Sequence, residues 1–198
     1  MPAMDEAGNI YLAETGMGHM WKYSPPFPTS EADCPGMDHL VTTAPTKTLF
    51  PVAASPTPAA IVRVPGTDHW YVSSVLLPGV PGQGGGSIVE YDANGVVVQS
   101  IVENVPPGAL LNPLGIDVGS DGTLYYAELN LNADTSTGCG RTSMVQFVNG
   151  APQAPQVLGQ NLSFPDGVTV VDSSQIGVNF LRLPVAVEPD PSTCNGSG

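Results

Sequence analysis

Basic residues are scarce in this sequence. Five Lys and Arg stand against 18 Asp and Glu, giving a net charge of −13 over 198 residues. A nucleic-acid binder needs cations to displace the counterions of the phosphates, so nucleic acid is excluded as a partner class. An anionic membrane surface is disfavoured on the same ground. Long apolar runs are missing as well. No stretch approaches the roughly 20 residues of a membrane helix, so membrane insertion is not expected. The opening Met1–Glu6 shows no basic, apolar leader and reads as sequence from inside a domain. Cysteine is sparse: Cys34, Cys139 and Cys194 lie far apart and form no Cys-x-x-Cys, which argues against zinc and redox motifs. One disulfide with one cysteine left over suits an oxidising compartment. Three pairings are open, and three separate thiols are the alternative. The expected location is secreted, extracellular or periplasmic.

Catalytic signatures are also lacking. There is no Gly-x-Ser-x-Gly elbow, and Gly84-Gly85-Gly86 lacks the Lys and helix of a phosphate loop. His19, His39 and His69 show no pairing at i, i+2 or i, i+4. Uninterrupted helical periodicity is absent, because 23 Gly and 21 Pro break the chain too often.

What is present is alternation. The 41% of hydrophobic residues sit in short period-2 runs, which excludes disorder as the reading of the Gly/Pro content. Asn112–Glu128 holds the clearest example: a strand at Gly115–Val118, a Ser-Asp-Gly turn, and a second strand at Thr123–Leu129. The pattern recurs. Tyr71 aligns with Tyr125 at an offset of 54, placing Ile61 over Gly115. Tyr11 aligns at an offset of 114, with Glu14 over Glu128, and Gly167 aligns with Gly115 at an offset of 52. Each hairpin precedes a third apolar strand: His19–Tyr23, Ser87–Tyr91, Ser143–Phe147 and Asn179–Leu183. Fourth strands are expected at Lys47–Val52, Val96–Val102 and Gln156–Leu162. Four strands in some 50–60 residues, repeated, cannot bury themselves singly and predict an all-β propeller of four-stranded antiparallel blades. A β-sandwich is the rival.

The Pro-x-Gly-Ile-x-Val-x-x-Asp-Gly-x-Leu-Tyr run of Pro113–Tyr125, with its echoes, resembles the NHL-repeat and senescence-marker/gluconolactonase propellers. That resemblance implies a ring that usually closes with six blades. Here about four repeats are counted, over units 1–58, 59–110, 111–162 and 163–187, the first lacking its opening strand. A Pro-rich loop fills 24–46, and 188–198 form a tail. The resemblance also implies calcium as the possible cofactor. It points to Asp166, in Pro165-Asp166-Gly167, as a metal ligand. Leu114 stands where those enzymes have Asn, and Asn112, two residues earlier, is the substitute. Glu128 and Glu14, at equivalent strand ends, are further carboxylate candidates for the metal or for acid–base work. The bland alternatives are a turn at Asp166-Gly167 and solvated strand ends at the two glutamates. The leading expectation is a recognition or scaffold module with a protein partner or self-assembly. The alternative is a calcium-dependent lactonase or related hydrolase.

Overall fold

Alternation becomes sheet wherever a turn residue lets the chain reverse. In the computed structural model, residues 2–28, 45–75, 86–102, 112–129, 140–162, 165–172 and 175–180 are described. The Ser120-Asp121-Gly122 turn reverses the chain because Gly122 takes φ +83°, which a side chain would oppose. Asp121 holds that turn by accepting hydrogen bonds from the Thr123 N–H at 3.0 Å and the Thr123 hydroxyl at 2.9 Å. Similar devices recur. Asp92 accepts from the Asn94 and Val96 amides at 2.8 and 2.9 Å, and Asp5 accepts from the Asn9 amide at 2.8 Å.

The first sheet is β1 (Ala3–Met4), β2 (Ile10–Glu14), β3 (His19–Ser24) and β4 (Thr46–Phe50), in that order. The second is β5 (Pro58–Arg63), β6 (Trp70–Ser74), β7 (Ser87–Tyr91) and β8 (Val97–Val102). The third is β9 (Pro113–Val118), β10 (Leu124–Glu128) and β11 (Gly140–Val145), with β14 (Gln156–Leu162) outermost. A small hairpin, β12 (Phe147–Val148) and β13 (Ala151–Pro152), interrupts the third unit before β14. The last hairpin pairs β15 (Pro165–Asp172) with β16 (Gln175–Phe180). All pairings are antiparallel.

Packing between sheets is successive. β5 packs on β1 and β2, β9 on β5 and β6, and β15 on β9, β10 and β11. The first strands β1, β5, β9 and β15 therefore stand side by side, and the sheets fan out from them: a β-propeller arc. The fan is visible in burial. Trp70–Ser74 is buried at all five positions because its sheet has a neighbour on each face. In the equivalent Ile10–Glu14 only Tyr11 is buried.

Two cores fill the gaps. Tyr11, Met20 and Phe50 of the first sheet meet Ile61, Trp70, Val72 and Tyr91 of the second, with the Tyr11 and Trp70 rings 4.2 Å apart. Ala60, Tyr71 and Ile88 of the second meet Ile116, Leu124, Tyr126 and Val145 of the third. Each such side chain contributes about 1.5–3 kcal/mol relative to exposure. Polar clasps add direction. Ser73 donates to the Leu114 carbonyl at 2.7 Å, and the Val170 amide donates to Asp117 Oδ2 at 2.8 Å.

A close approach repeats at the inner ends. A Cβ on Gly86 would lie 2.2 Å from Pro113 Cδ, and one on Gly140 would lie 2.2 Å from Pro165 Cδ. Each glycine opens or immediately precedes the third strand of one sheet, and each proline opens the first strand of the next. The proline ring occupies the volume the missing side chain leaves.

Four expectations are corrected. The first unit does have an opening strand, Ala3–Met4, paired with Ile10 and Tyr11. The first strand of the second unit is offset by 55, not 54: Ile61 and Ile116 face Val72 and Tyr126, because the β5–β6 loop is one residue longer than the β9–β10 loop. In the last unit Asn179 and Phe180 end the second strand, paired with Gly167 and Pro165, rather than starting a third. Asp166-Gly167 is the start of a strand rather than a turn before one. Cys34, Cys139, Cys194, most of the Pro-rich loop and the tail lie outside the described residues.

Candidate functional site

Polar residues gather at the inner end of the third sheet. Glu128 closes β10, with no exposed surface, opposite Pro113 on one side and Arg141 on the other. A buried carboxylate is costly without a partner. Here the Arg141 guanidinium grips it in a fork, Nε to Oε2 at 2.5 Å and Nη2 to Oε1 at 3.1 Å. The Ser143 hydroxyl donates to Oε2 at 2.9 Å. Arg141 is held in its charged form, since the Glu128 bonds and charge outweigh the effect of its burial. Tyr126 stands on the same face of β10. Its hydroxyl is buried and, among the described residues, is the one buried side-chain polar atom without a hydrogen-bond partner. Burial, then the Glu128 charge, pushes its ionisation well above the ordinary phenol value.

Asn112 precedes β9. It is fully buried at φ +59°, and its carbonyl accepts the Leu129 amide at 3.2 Å. Asp166 is half-buried, second in β15, and its carbonyl lies against Gly115. The fold thus places Asn112, Glu128 and Asp166 at one end of the third sheet and of the hairpin packed on it. Glu14 is elsewhere, on the first sheet, with the second sheet between. Its carboxylate accepts the Trp21 indole N–H at 2.6 Å and lies 3.4 Å from His19 Nδ1. The Trp21 bond, then His19 and Lys47, hold it below the ordinary glutamate range.

Among the described residues, no three His, Cys, Asp or Glu side chains are placed to hold a metal. The guanidinium against Glu128 neutralises that carboxylate from within the chain. Sequence reasoning missed Arg141 and Ser143. It started the third strand at Ser143, whereas β11 starts at Gly140 and sets Arg141 directly opposite Glu128. Counting back along β11 from Val145 opposite Leu124 would have found the pair. A cavity of about 400 Å³ at the other end of β9 is lined by Asp117, Asp121, Asp172 and Tyr125. Asp117 and Asp121 spend their oxygens on backbone amides of Val118, Val170 and Thr123.

A second feature is the outer face of the first sheet. Register places Met4 and Ile10, Leu12 and Trp21, Tyr23 and Lys47, and Leu49 on that side. Lys47 Nζ sits 3.8 Å from the Trp21 ring centroid and 5.8 Å from that of Tyr23. The positions equivalent to Ile10 and Leu12 in the next sheet are Trp70 and Val72, 1% and 0% exposed, whereas Leu12 is 42% and Leu49 55% exposed.

No family model matches the chain, and no curated protein matches it. Solved structures do. The chain resembles a chain in a crystal structure of a nidogen/laminin complex with a TM-score of 0.54 at 16% identity, over 84% of this chain and 50% of that one. It resembles the Dos1 propeller with a TM-score of 0.54 at 10% identity, over 91% of this chain and 42% of that one. At such identities the likeness is one of fold. The chain spans half or less of the length of these structures.

Proposed function

We propose that this chain is a non-catalytic recognition and scaffold module that binds protein partners, further propeller units among them. The observation that carries the reading is the Glu128–Arg141 fork. Glu128, one of the carboxylates that a metal at this end of the sheet would need free, is already neutralised by the chain's own guanidinium. Leu114 in place of an oxygen donor agrees with this. So does the fold, a rigid stack of sheets suited to presenting loops to a partner. One of the structures it resembles was solved as a complex of two proteins.

The rival reading, a calcium-dependent lactonase, keeps Asn112 and Asp166 as oxygen donors beside each other's strands. Metal analysis of the purified chain separates the two. The scaffold reading expects calcium well below one per chain after exchange into metal-free buffer. Calcium near one per chain, removed by Asp166→Ala, would overturn it.

A further inference from the structure

We propose that Asn149-Gly150, the turn of the β12–β13 hairpin, is a site of spontaneous backbone modification, and that the isoaspartate formed there releases the hairpin from the second sheet. The Gly150 backbone nitrogen attacks the Asn149 side-chain carbonyl carbon. A C–N bond forms, and the side-chain nitrogen leaves as ammonia with the Gly150 amide proton. Water then opens the resulting succinimide ring. Opening on the side-chain carbonyl gives aspartate. Opening on the former main-chain carbonyl gives isoaspartate, whose main chain runs through the side-chain methylene. Glycine suits the attack because it has no Cβ to hinder it.

Two such pairs fall among the described residues, Asn94-Gly95 and Asn149-Gly150, each with an exposed Asn. The attacking nitrogen must swing toward the side chain, so the turn that opens more easily reacts first. The Asn94 turn is fastened. The Gly95 amide donates to the Asp92 carbonyl at 3.0 Å, and the Asp92 amide donates to the Val96 carbonyl at 2.9 Å. Asp92 Oδ1 accepts the Asn94 and Val96 amides at 2.8 and 2.9 Å. A Cβ on Gly95 would lie 2.2 Å from the Pro51 carbonyl oxygen, so its backbone is packed as well. The Asn149 turn is loose by comparison. Its two residues take φ +52° and +78° and join strands paired at Phe147 with Pro152 and Val148 with Ala151, and Pro152 has no N–H to give. Among the described residues the Gly150 amide has no partner, and a Cβ on Gly150 would meet nothing within 4 Å.

The consequence follows from what holds the hairpin. Gln99 Nε2 donates to the Gly150 carbonyl at 3.0 Å while also donating to the buried Glu90 at 2.7 Å. The Phe147 ring stacks on Tyr71 of the second sheet, centroids 5.6 Å apart and planes 7° apart. Isoaspartate adds a main-chain methylene inside a turn that closes with two residues, and a negative charge to the residue before that carbonyl. The aim of the Gly150 carbonyl at Gln99 is then lost.

Peptide mass spectrometry with electron-transfer fragmentation, on the full chain aged at neutral pH, reads conversion at both pairs. Asn149 is expected to convert about tenfold faster than Asn94, the rate equivalent of one to two ordinary hydrogen bonds. In urea that unfolds the chain the two rates should converge. Gln99→Ala, which frees the Gly150 carbonyl, should speed conversion at Asn149 about fivefold, with Asn94 as the internal control. Hydrogen exchange on the isoaspartate form should show lost protection at the Gln153 amide, which donates to the Gln146 carbonyl at 2.8 Å, and unchanged protection in β6. Asn149→Gly, which keeps a turn-compatible residue and cannot react, should stay protected through the same incubation. Equal conversion at the two pairs in the folded chain would overturn the inference, as would a Gln99→Ala chain that converts no faster. An isoaspartate form whose hairpin stays protected would overturn the release.

Discussion

Replacing Arg141 by Met is the sharpest test of how the inner end of the third sheet is held together. Glu128 has no exposed surface, and Arg141 supplies two of the three hydrogen bonds described to its carboxylate. Removing the guanidinium takes the countercharge from a buried carboxylate that still accepts from the Ser143 hydroxyl. Breaking a buried pair from one side costs about 3–5 kcal/mol. The Arg141 side chain is 25% exposed, so water can reach the site, and the lower end, about 3 kcal/mol, is the better figure. For a chain of this size that is a fall in Tm of about 6–12 °C. Thermal unfolding followed by circular dichroism reads it. Changing both partners, Glu128→Leu with Arg141→Met, removes the buried charge along with its counterion and is expected to recover at least half of the loss, because an apolar pair can replace a buried ion pair at little cost. A loss under about 1 kcal/mol for Arg141→Met would match an exposed ion pair and refute the burial argument. A double variant no more stable than the single one would show that packing, not charge, sets the effect.

Three further outcomes follow from the same geometry. Gly140→Ala drives a Cβ to 2.2 Å from Pro165 Cδ and 2.6 Å from the Glu128 carbonyl, so a loss of about 1–3 kcal/mol is expected by urea titration, and wild-type stability would sink the account. Gly86→Ala, facing Pro113 in the same way, is expected to match it. Asp121→Ala is expected to cost about 1 kcal/mol at pH 7 by loss of its two turn bonds. The Thr123 bonds hold the Asp121 carboxyl below 3.8, so its contribution is complete above the unfolded value and fades as pH falls through the folded one. The gap between wild type and variant in stability should therefore close below about pH 4; a gap that persists at pH 2 would refute the assignment.

The repeat was legible because its marks are local. An Asp-Gly turn between alternating runs fixes a hairpin from neighbouring residues alone, and Gln156–Leu162 was placed to the residue. What escaped was decided by distant partners. Ala3–Met4 is too short to show a period and exists because Ile10 and Tyr11 pair with it. The one-residue slip at Ile61 arises in a loop that leaves the downstream alignment of Tyr71 intact. The candidate site was half legible: Glu128, Asn112 and Asp166 lie at the same end of packed strands, but Arg141, which grips Glu128, belongs to a strand read three residues short. Glu14 shared the strand position of Glu128 without its surroundings: each has a polar third-strand partner, His19 and Arg141, but the Glu128 face of the third sheet packs on the second sheet, whereas among the described residues no sheet covers the Glu14 face, and this separates a buried fork from a surface contact.

The proline-on-glycine contacts have a bearing on how such a chain comes apart. Each joint is split between two sheets, so no sheet owns a whole one, and severing one joint leaves its neighbours untouched. Such an arc should fray from its ends, surrendering one sheet at a time as denaturant rises, with the doubly flanked second and third sheets the last to go.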